Sequence, residues 1–332
     1  MPTGSRRSTP QASSTETRIL VTTKRLRLRR LRAGGKWSGG RLFALLTATP
    51  ATVLLVALSV FPLLYSLWLS LTDSSLLSTQ APRFTGVANY VTILGDHLFW
   101  TSLGVTAVFA LSVVTVQLAV GIGLAMALHR LKRAQQVLAT VLLMPSILSP
   151  SVASFQWRQL FNYNSGVLNY ALQKLGLPLQ GWTADPHLAL PSLVVVDFWE
   201  WTPFMMLLLF AGLQSIPPQV FEAARVDGST GWQIFRFQIL PLLRRVIAIA
   251  VILRLIAAFK VFDVIYVLTQ GGPGSITESL AYYTYVQGFR YFTVGYSAAL
   301  SFVSLVLVLV LAKLILGYME RPAVRTSFRA AR

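Results

Sequence analysis

Six long runs of apolar residues alternate with more polar segments along the 332-residue chain. Each run reaches the roughly 20 residues that an α-helix needs to cross the hydrocarbon core of a bilayer. The runs cover residues 42–71, 99–128, 137–161, 188–213, 246–269 and 294–317. The pattern therefore predicts an all-α integral membrane protein with six transmembrane helices.

The composition agrees with this fold class. Hydrophobic residues make up 54% of the chain and charged residues 12%, whereas a soluble domain carries about 25% charged residues. The mean hydropathy is +0.61. The sequence contains no cysteine, which excludes disulfides, a thiolate nucleophile and a cysteine-based zinc site.

The basic residues are distributed unevenly, and this distribution orients the predicted helices. The net charge is +18, which would suggest nucleic acid if the charges formed one surface. Instead, 22 Lys and Arg residues lie in the termini and alternate loops, against three in the remaining loops. Because cytoplasmic loops carry the excess of basic residues, we predict that both termini are cytoplasmic. The ends are then a basic disordered arm over 1–41 and a basic tail over 318–332, flanking a membrane domain over 42–317.

No constellation of residues typical of an enzyme is evident. His97, His129 and His187 fall at three different ends of the apolar runs. The phosphate-binding pattern GxxxxGK[ST] is absent, since the nearest candidate, Gly35-Lys36, is followed by Trp37. We therefore predict a protein that is not catalytic and binds no metal.

Charged residues inside the apolar runs are costly and mark candidate functional positions. Glu200 and Arg254 both fall near the middle of the membrane, and Asp197 lies about one turn outward, so a carboxylate of the fourth run could meet Arg254. Lys260 and Asp263 are three residues apart, which would place them on one helical face. Two interpretations stay open: a structural ion pair involving Arg254, or a polar cavity for a polyhydroxylated solute. The candidates for that pathway are Asp197, Glu200, Trp201, Lys260, Asp263, Tyr266 and Gln270.

One polar segment, residues 216–241, has the signals of two short helices around a turn. Two prolines suit the start of the first helix, which we expect over residues 220–226. Gly228 suits the left-handed position that ends a helix, and Ser229 or Thr230 could cap the next one. Pro241 would end the polar segment before the fifth run. The charge distribution places this segment in the cytoplasm.

The segment resembles the EAA loop of permease subunits of binding-protein-dependent ABC importers. The matching residues are Glu222-Ala223-Ala224, Asp227-Gly228 and Leu240-Pro241, and Gln238 departs from the usual isoleucine. Two further stretches resemble the maltose, trehalose and polyol branch of that family: FDVIYVLTQGGPG over 262–274 and WTPFMMLLLFAGLQSIP over 201–217. The resemblance covers residues 42–317 and implies the type I ABC importer permease fold.

The resemblance also implies partners and a mechanism. Glu222, Ala223, Ala224, Asp227, Gly228 and Pro241 would couple this chain to an ATPase. The assembly would hold a second permease subunit, two ABC ATPase subunits and an extracytoplasmic sugar-binding protein, in the cytoplasmic membrane of a bacterial cell. ATP and Mg²⁺ would bind to the ATPase, so this chain would hold no cofactor.

Two other classes of protein fit the sequence less well. The alternative function is an ion-coupled secondary carrier of sugars or other solutes, which would use the buried Asp, Glu and Lys residues. It is disfavoured by the lack of an evident internal repeat. A membrane enzyme would need acidic or histidine residues clustered at one membrane face, and the sequence has no such cluster.

Overall fold

The computed structural model describes residues 37–131 and 134–319, and the secondary structure in this part is helical. The predicted basic arm and basic tail lie almost wholly outside the described residues. The α-helices are α1 Trp37–Ser70, α2 Ala88–Gly95, α3 His97–Arg130, α4 Gln135–Ile147, α5 Pro150–Leu160, α6 Val167–Lys174, α7 Ala189–Gln214, α8 Pro218–Val226, α9 Gly231–Ile234, α10 Leu240–Phe259, α11 Asp263–Leu268, α12 Leu280–Tyr285 and α13 Val294–Met319. Two π-helical turns, Phe235–Ile239 and Val286–Arg290, follow α9 and α12.

The described residues divide into two compact units, with the boundary between Pro62 and Leu63. In the first unit, α1 presents exposed apolar side chains such as Leu55 and Leu58. The second unit holds the remaining helices and the buried core. Its core is built from side chains of α3, α7 and α10 together with the shorter helices that pack on them.

Four helices in the described part are long and apolar enough to cross a membrane. They are Leu46–Ser70 within α1, His97–Arg130, Ala189–Gln214 and Val294–Gly317 within α13. The prediction of a multi-pass, all-helical protein is confirmed at this level, whereas a count of six spans is not.

The predicted third span is a bent pair of helices. α4 ends at Ile147, α5 begins at Pro150, and the two axes differ by 89°. Pro150 occupies the first turn of α5, where a missing N–H is tolerated, and the residue before a proline is biased away from helical geometry. The pair makes a fifth candidate span only if the two helices together cross as one.

The predicted fifth span, residues 246–269, is also interrupted. α10 ends at Phe259, and α11 begins only at Asp263. α10 has 20 residues, enough for about 30 Å, but it carries three arginines, Arg244, Arg245 and Arg254. These charges keep it out of the set of strongly apolar helices.

Small residues allow the helices of the second unit to approach closely. A Cβ atom on Gly121 of α3 would lie 3.0 Å from Met205 Cγ of α7. On Gly212 of α7 it would lie 2.9 Å from side-chain atoms of Leu243 and Val246 in α10. α3, α7 and α10 therefore form a tightly packed group, and Asp197, Glu200 and Arg254 are buried in it.

Candidate functional site

The 216–241 segment folds as two short helices around a left-handed glycine. α8 follows Pro217, and its last turn is closed by hydrogen bonds from Asp227 N to Ala223 O (3.0 Å) and from Ser229 N to Ala224 O (3.0 Å). Gly228 has a φ of +74°. The predicted helix and the predicted position of the glycine are both confirmed.

The cap of the second helix is Thr230, one of the two residues left open by the sequence. Gln233 N donates to Thr230 Oγ1 (3.4 Å), and Thr230 N donates to Gln233 Oε1 (2.7 Å), which forms a reciprocal capping box. The polar segment ends at the start of α10, where the sequence predicts Pro241 to end it. The backbone stays helical from Gly231 through Phe259, and Pro241 lies in the first turn of α10. A π-helical turn directly before Pro241 alters the hydrogen-bond spacing, which helps the helix to accommodate the proline ring.

The segment divides its residues between the core and the surface. Ala224 and Ile234 are buried with residues of α3, α7 and α10, and they anchor the two short helices. Glu222, Ala223 and Asp227 are exposed. In the described part of the chain Glu222 forms no ion pair. The carboxylate of Glu222 is therefore available to a group outside the described chain.

A second polar region lies inside the group formed by α3, α7 and α10. Gln117 Nε2 donates to Asp197 Oδ1 (2.9 Å) and to the Asp197 carbonyl oxygen (3.0 Å). Arg254 Nε donates to Gln117 Oε1 (2.7 Å), and Arg254 Nη2 forms an ion pair with Asp197 Oδ1. These three residues are called the buried polar network below. Its members come from three helices and are at most 6% exposed.

The network compensates a large desolvation cost. Removing two charges from water costs several kcal/mol per ion, which only a close and fully hydrogen-bonded pair offsets. The Arg254 guanidinium also lies 5.3 Å from the centre of the Trp201 ring, within the range of a cation–π interaction. Arg254 therefore meets a carboxylate of α7, and that carboxylate is Asp197 rather than Glu200.

Glu200 lies one turn beyond Asp197 and is 3% exposed. Its carbonyl oxygen accepts a hydrogen bond from Ser146 Oγ of α4 (2.7 Å), while its carboxylate has no hydrogen-bond partner among the described residues. It lies within electrostatic reach of Asp197, Arg254 and Asp263. Glu200 thus carries hydrogen-bonding capacity that the fold leaves unused.

Lys260 and Asp263 do not share one helical face, so that prediction is wrong. The helix ends between them, because Lys260 is the C-terminal cap of α10 and Asp263 opens α11. The carboxylate of Asp263 accepts a hydrogen bond from Ser151 Oγ of α5 (2.7 Å). Lys260 instead lines a cavity beside α12 and α13.

The last two pathway candidates lie in and after α11. The Tyr266 ring stacks on Phe262, with ring centres 5.3 Å apart, and also contacts Tyr285. Gln270 is exposed and has a φ of +51°, a conformation that few residues other than glycine adopt. Neither side chain forms a hydrogen bond with the buried polar network.

Sequence reasoning missed Gln117 and a second cluster around Asp96. Gln117 is an uncharged amide in an apolar run, and only its polarity in the VTVQLAV stretch signals it. The carboxylate of Asp96 accepts hydrogen bonds from Leu98 N (2.9 Å), from Tyr296 Oη (2.6 Å) and from Tyr283 Oη. Asp96 therefore joins the start of α3 to α12 and α13.

Burial alone would raise the pKa of Asp96. The hydroxyl groups of Tyr283 and Tyr296 and the N–H group of Leu98 all stabilise the charged form, and together they hold the pKa below its usual value. The hydrogen bonds to the Asp96 carboxylate are strongest when it is ionised. No group of three His, Asp or Glu side chains that could hold a metal ion is found in the described ranges 37–131 and 134–319.

Comparison with known proteins identifies the family to which the chain belongs. The sequence model of the family described as "Binding-protein-dependent transport system inner membrane component" matches residues 117–321. This range contains the 216–241 segment and every member of the buried polar network.

Several curated relatives align with most of the chain. The trehalose/maltose transport system permease protein MalF of Thermococcus litoralis is 35% identical over 277 residues, which cover 82% of this chain and 92% of the relative. The trehalose transport system permease protein SugA of Mycobacterium tuberculosis is 36% identical over 273 residues, or 81% of this chain and 86% of the relative. These names give no support to an ion-coupled secondary carrier.

A solved structure shares the fold. A chain of a bacterial ABC transporter involved in the import of the acidic polysaccharide alginate superposes with a TM-score of 0.74 at 20% identity, covering 86% of this chain and 99% of that chain. At this level of identity the likeness concerns the fold alone, which is that of an ABC transporter membrane subunit.

Proposed function

The chain belongs to the family of binding-protein-dependent transport system inner membrane components, and from this premise we propose that it is the membrane subunit of an ATP-driven carbohydrate importer. It forms half of the sugar pathway and is not itself an enzyme. The relatives named as trehalose and trehalose/maltose permeases support the carbohydrate class.

The proposal depends mainly on the structure of the 216–241 segment. Its two short helices are anchored through Ala224 and Ile234, while Glu222 and Ala223 are exposed and Glu222 forms no ion pair with the described residues. This is the arrangement expected of a surface that transmits the movement of another subunit. We propose that Glu222, Ala223, Ala224, Asp227, Gly228 and Pro241 form the coupling surface for an ATPase subunit.

The partners follow from this role. We propose a second permease subunit, two ATPase subunits that bind ATP and Mg²⁺, and an extracytoplasmic binding protein that delivers the sugar. The 22-to-3 distribution of basic residues supports cytoplasmic termini. With α10 counted as a span and α4–α5 as one bent span, the topology has six crossings of the bacterial cytoplasmic membrane.

The sugar pathway is proposed to pass beside the buried polar network. Glu200 and Trp201 lie next to it, and the unused carboxylate of Glu200 can accept hydrogen bonds from sugar hydroxyl groups. Asp263, Tyr266 and Gln270 continue the proposed pathway away from the 216–241 segment. Asp197 and Arg254 act mainly by holding α7 and α10 together.

Reconstitution into proteoliposomes tests the proposal. The chain would be co-purified with a second permease subunit, an ATPase subunit and a binding protein encoded in the same genome, and uptake of labelled trehalose, maltose and lactose would be measured. We expect uptake of at least one sugar that requires both ATP and the binding protein. Uptake by this chain alone, driven by an ion gradient without ATP, would overturn the proposal.

A further inference from the structure

A cavity of about 380 Å³ lies between the end of α10, α12 and the first half of α13. We call it the α10–α13 cavity. Its lining includes no member of the buried polar network, and the transport proposal gives it no role. The residues around it are Phe259, Lys260, Leu280, Ala281, Thr284, Ser301, Ser304, Leu305 and Val308.

Lys260 supplies the only positive charge of this lining. In the described ranges the ammonium group forms no ion pair. A cation in an apolar membrane-spanning segment is costly unless an anion pairs with it or its side chain reaches the polar headgroup region. Lys260 follows Arg244 by 16 residues, or about 24 Å along the helix, so the two charges lie at opposite ends of α10.

Three hydroxyl groups accompany Lys260, and each already uses its proton. Thr284 Oγ1 donates to Leu280 O (2.7 Å), while Ser301 Oγ and Ser304 Oγ donate to carbonyl oxygens one turn earlier (3.0 and 2.8 Å). Their oxygen lone pairs remain free to accept hydrogen bonds. The polar side of the cavity therefore fits a ligand that combines an anion with hydroxyl donors.

A narrow apolar crevice continues from the cavity along the contact between α10 and α13. The two spaces share Phe259 and Val308, and the crevice excludes water. It runs for about 10 Å along α10 from Phe259 to Ile252. Its lining is entirely apolar: Ile252, Leu255, Ile256, Phe259, Val308, Leu311, Ala312 and Ile315. A charged polar end joined to an apolar crevice is the shape of an amphiphile.

We propose that the α10–α13 cavity binds an anionic phospholipid whose headgroup carries hydroxyl groups, of which phosphatidylglycerol is the simplest example. The phosphate lies against Lys260, the headgroup hydroxyls donate to Thr284, Ser301 and Ser304, and an acyl chain covers the crevice. The inference requires only that the chain spans a membrane, and it is independent of the transported solute.

Native mass spectrometry of the full chain in a mild detergent tests this site. Phosphatidylglycerol, phosphatidic acid and phosphatidylcholine are titrated separately against the wild type, Lys260→Gln, Lys260→Arg and the control Lys313→Gln, which removes an exposed lysine elsewhere on α13. We expect Lys260→Gln to weaken phosphatidylglycerol binding about five-fold, from the roughly 1 kcal/mol that one basic residue contributes. Lys260→Arg and Lys313→Gln should change it less than two-fold.

Two further measurements test the headgroup contacts and the acyl-chain contact separately. Phosphatidic acid, which has no headgroup hydroxyls, should bind more weakly than phosphatidylglycerol. Ala312→Phe fills the crevice and should weaken all three lipids while preserving their order. Equal phosphatidylglycerol binding by wild type and Lys260→Gln would overturn the proposal. Displacement of the lipid by millimolar inorganic phosphate would show a simple anion site instead, and a Ser301→Cys variant that cross-links to another protein subunit would show a protein interface.

Discussion

The 216–241 segment and the buried polar network both place charged residues in an apolar chain. The charges of the segment are exposed, whereas those of the network are buried and paired. Glu222 and Asp227 are exposed and unpaired in the described chain, on short helices that Ala224 anchors. Asp197 and Arg254 are almost wholly buried and satisfy each other with the help of Gln117. Exposed charges cost little to keep and remain available to a partner, whereas buried charges persist only where the same chain compensates them.

The largest effect is expected in the buried network. Arg254→Ala leaves Asp197 buried without its counter-charge, which costs about 3–5 kcal/mol of stability. We expect a large decrease in stability, measured as a lower midpoint of thermal unfolding in detergent. The control Arg244→Ala removes an exposed arginine of the same helix and should change stability by less than about 0.5 kcal/mol.

A charge swap identifies the partner of Arg254. Arg254→Asp combined with Asp197→Arg should recover part of the lost stability, because the ion pair is rebuilt in reverse. Arg254→Asp combined with Glu200→Arg should not. Rescue through Glu200 alone would contradict the pairing described above.

The second effect concerns coupling rather than stability. Glu222→Lys reverses an exposed charge on α8, so the protein should insert and unfold like the wild type. We expect sugar uptake in the reconstituted transporter to fall at least about ten-fold, equivalent to roughly 1.4 kcal/mol of lost interaction with the ATPase. Gln219→Lys, an exposed change on the same helix outside the EAA residues, is the matched control. Normal uptake by Glu222→Lys would remove Glu222 from the coupling surface.

A third, smaller effect separates backbone strain from side-chain contact in the 216–241 segment. Gly228 has a φ of +74°, and a Cβ atom there would meet nothing within 4 Å. Gly228→Ala should therefore cost about 1–2 kcal/mol through the left-handed conformation alone. Gly231 also has open space around it but no positive φ, so Gly231→Ala should cost nothing. Amide hydrogen exchange across α8 and α9 measures the difference, and equal exchange in the two variants would argue against strain at Gly228.

The smallest effect is expected for Asp96, whose exposure is intermediate between that of Glu222 and that of the buried polar network. Because its pKa is lowered in the folded protein, its stabilising contribution is complete above the ordinary aspartate value of about 3.9. The contribution is lost as the pH falls below that value towards the folded pKa. Thermal unfolding between pH 3 and 7 should show a steeper loss at the acid end for the wild type than for Asp96→Asn. Identical pH profiles would show that the hydrogen bonds from Tyr283 and Tyr296 do not depend on the charge of Asp96.

Local patterns in the sequence predicted several features that the structure confirms. Hydropathy indicated an all-helical membrane protein, and cap chemistry indicated the helix over 220–226 and the left-handed Gly228. These features depend on residues within a few positions of one another. The EAA match added the family, since its residues have a fixed spacing.

The prediction for Lys260 and Asp263 failed for a physical reason. The two residues were placed on one face by assuming an unbroken helix, but the chain leaves helical geometry between them. Packing over a longer range decided how the backbone continued, and the local residue types could not show it.

The sequence by itself determined where the apolar runs lie, how unevenly the basic residues are distributed between the loops, and which short segment carries the residues that match the EAA loop. These are properties of composition and of neighbouring residues. Only the tertiary structure decided that Arg254 meets Asp197 and Gln117, residues 57 and 137 positions away, and that Lys260 opens into a separate cavity. The reason is geometric: the choice between Asp197 and Glu200, one helical turn apart, depends on how α7 and α10 are rotated and spaced, and close packing at Gly212 helps to set that spacing.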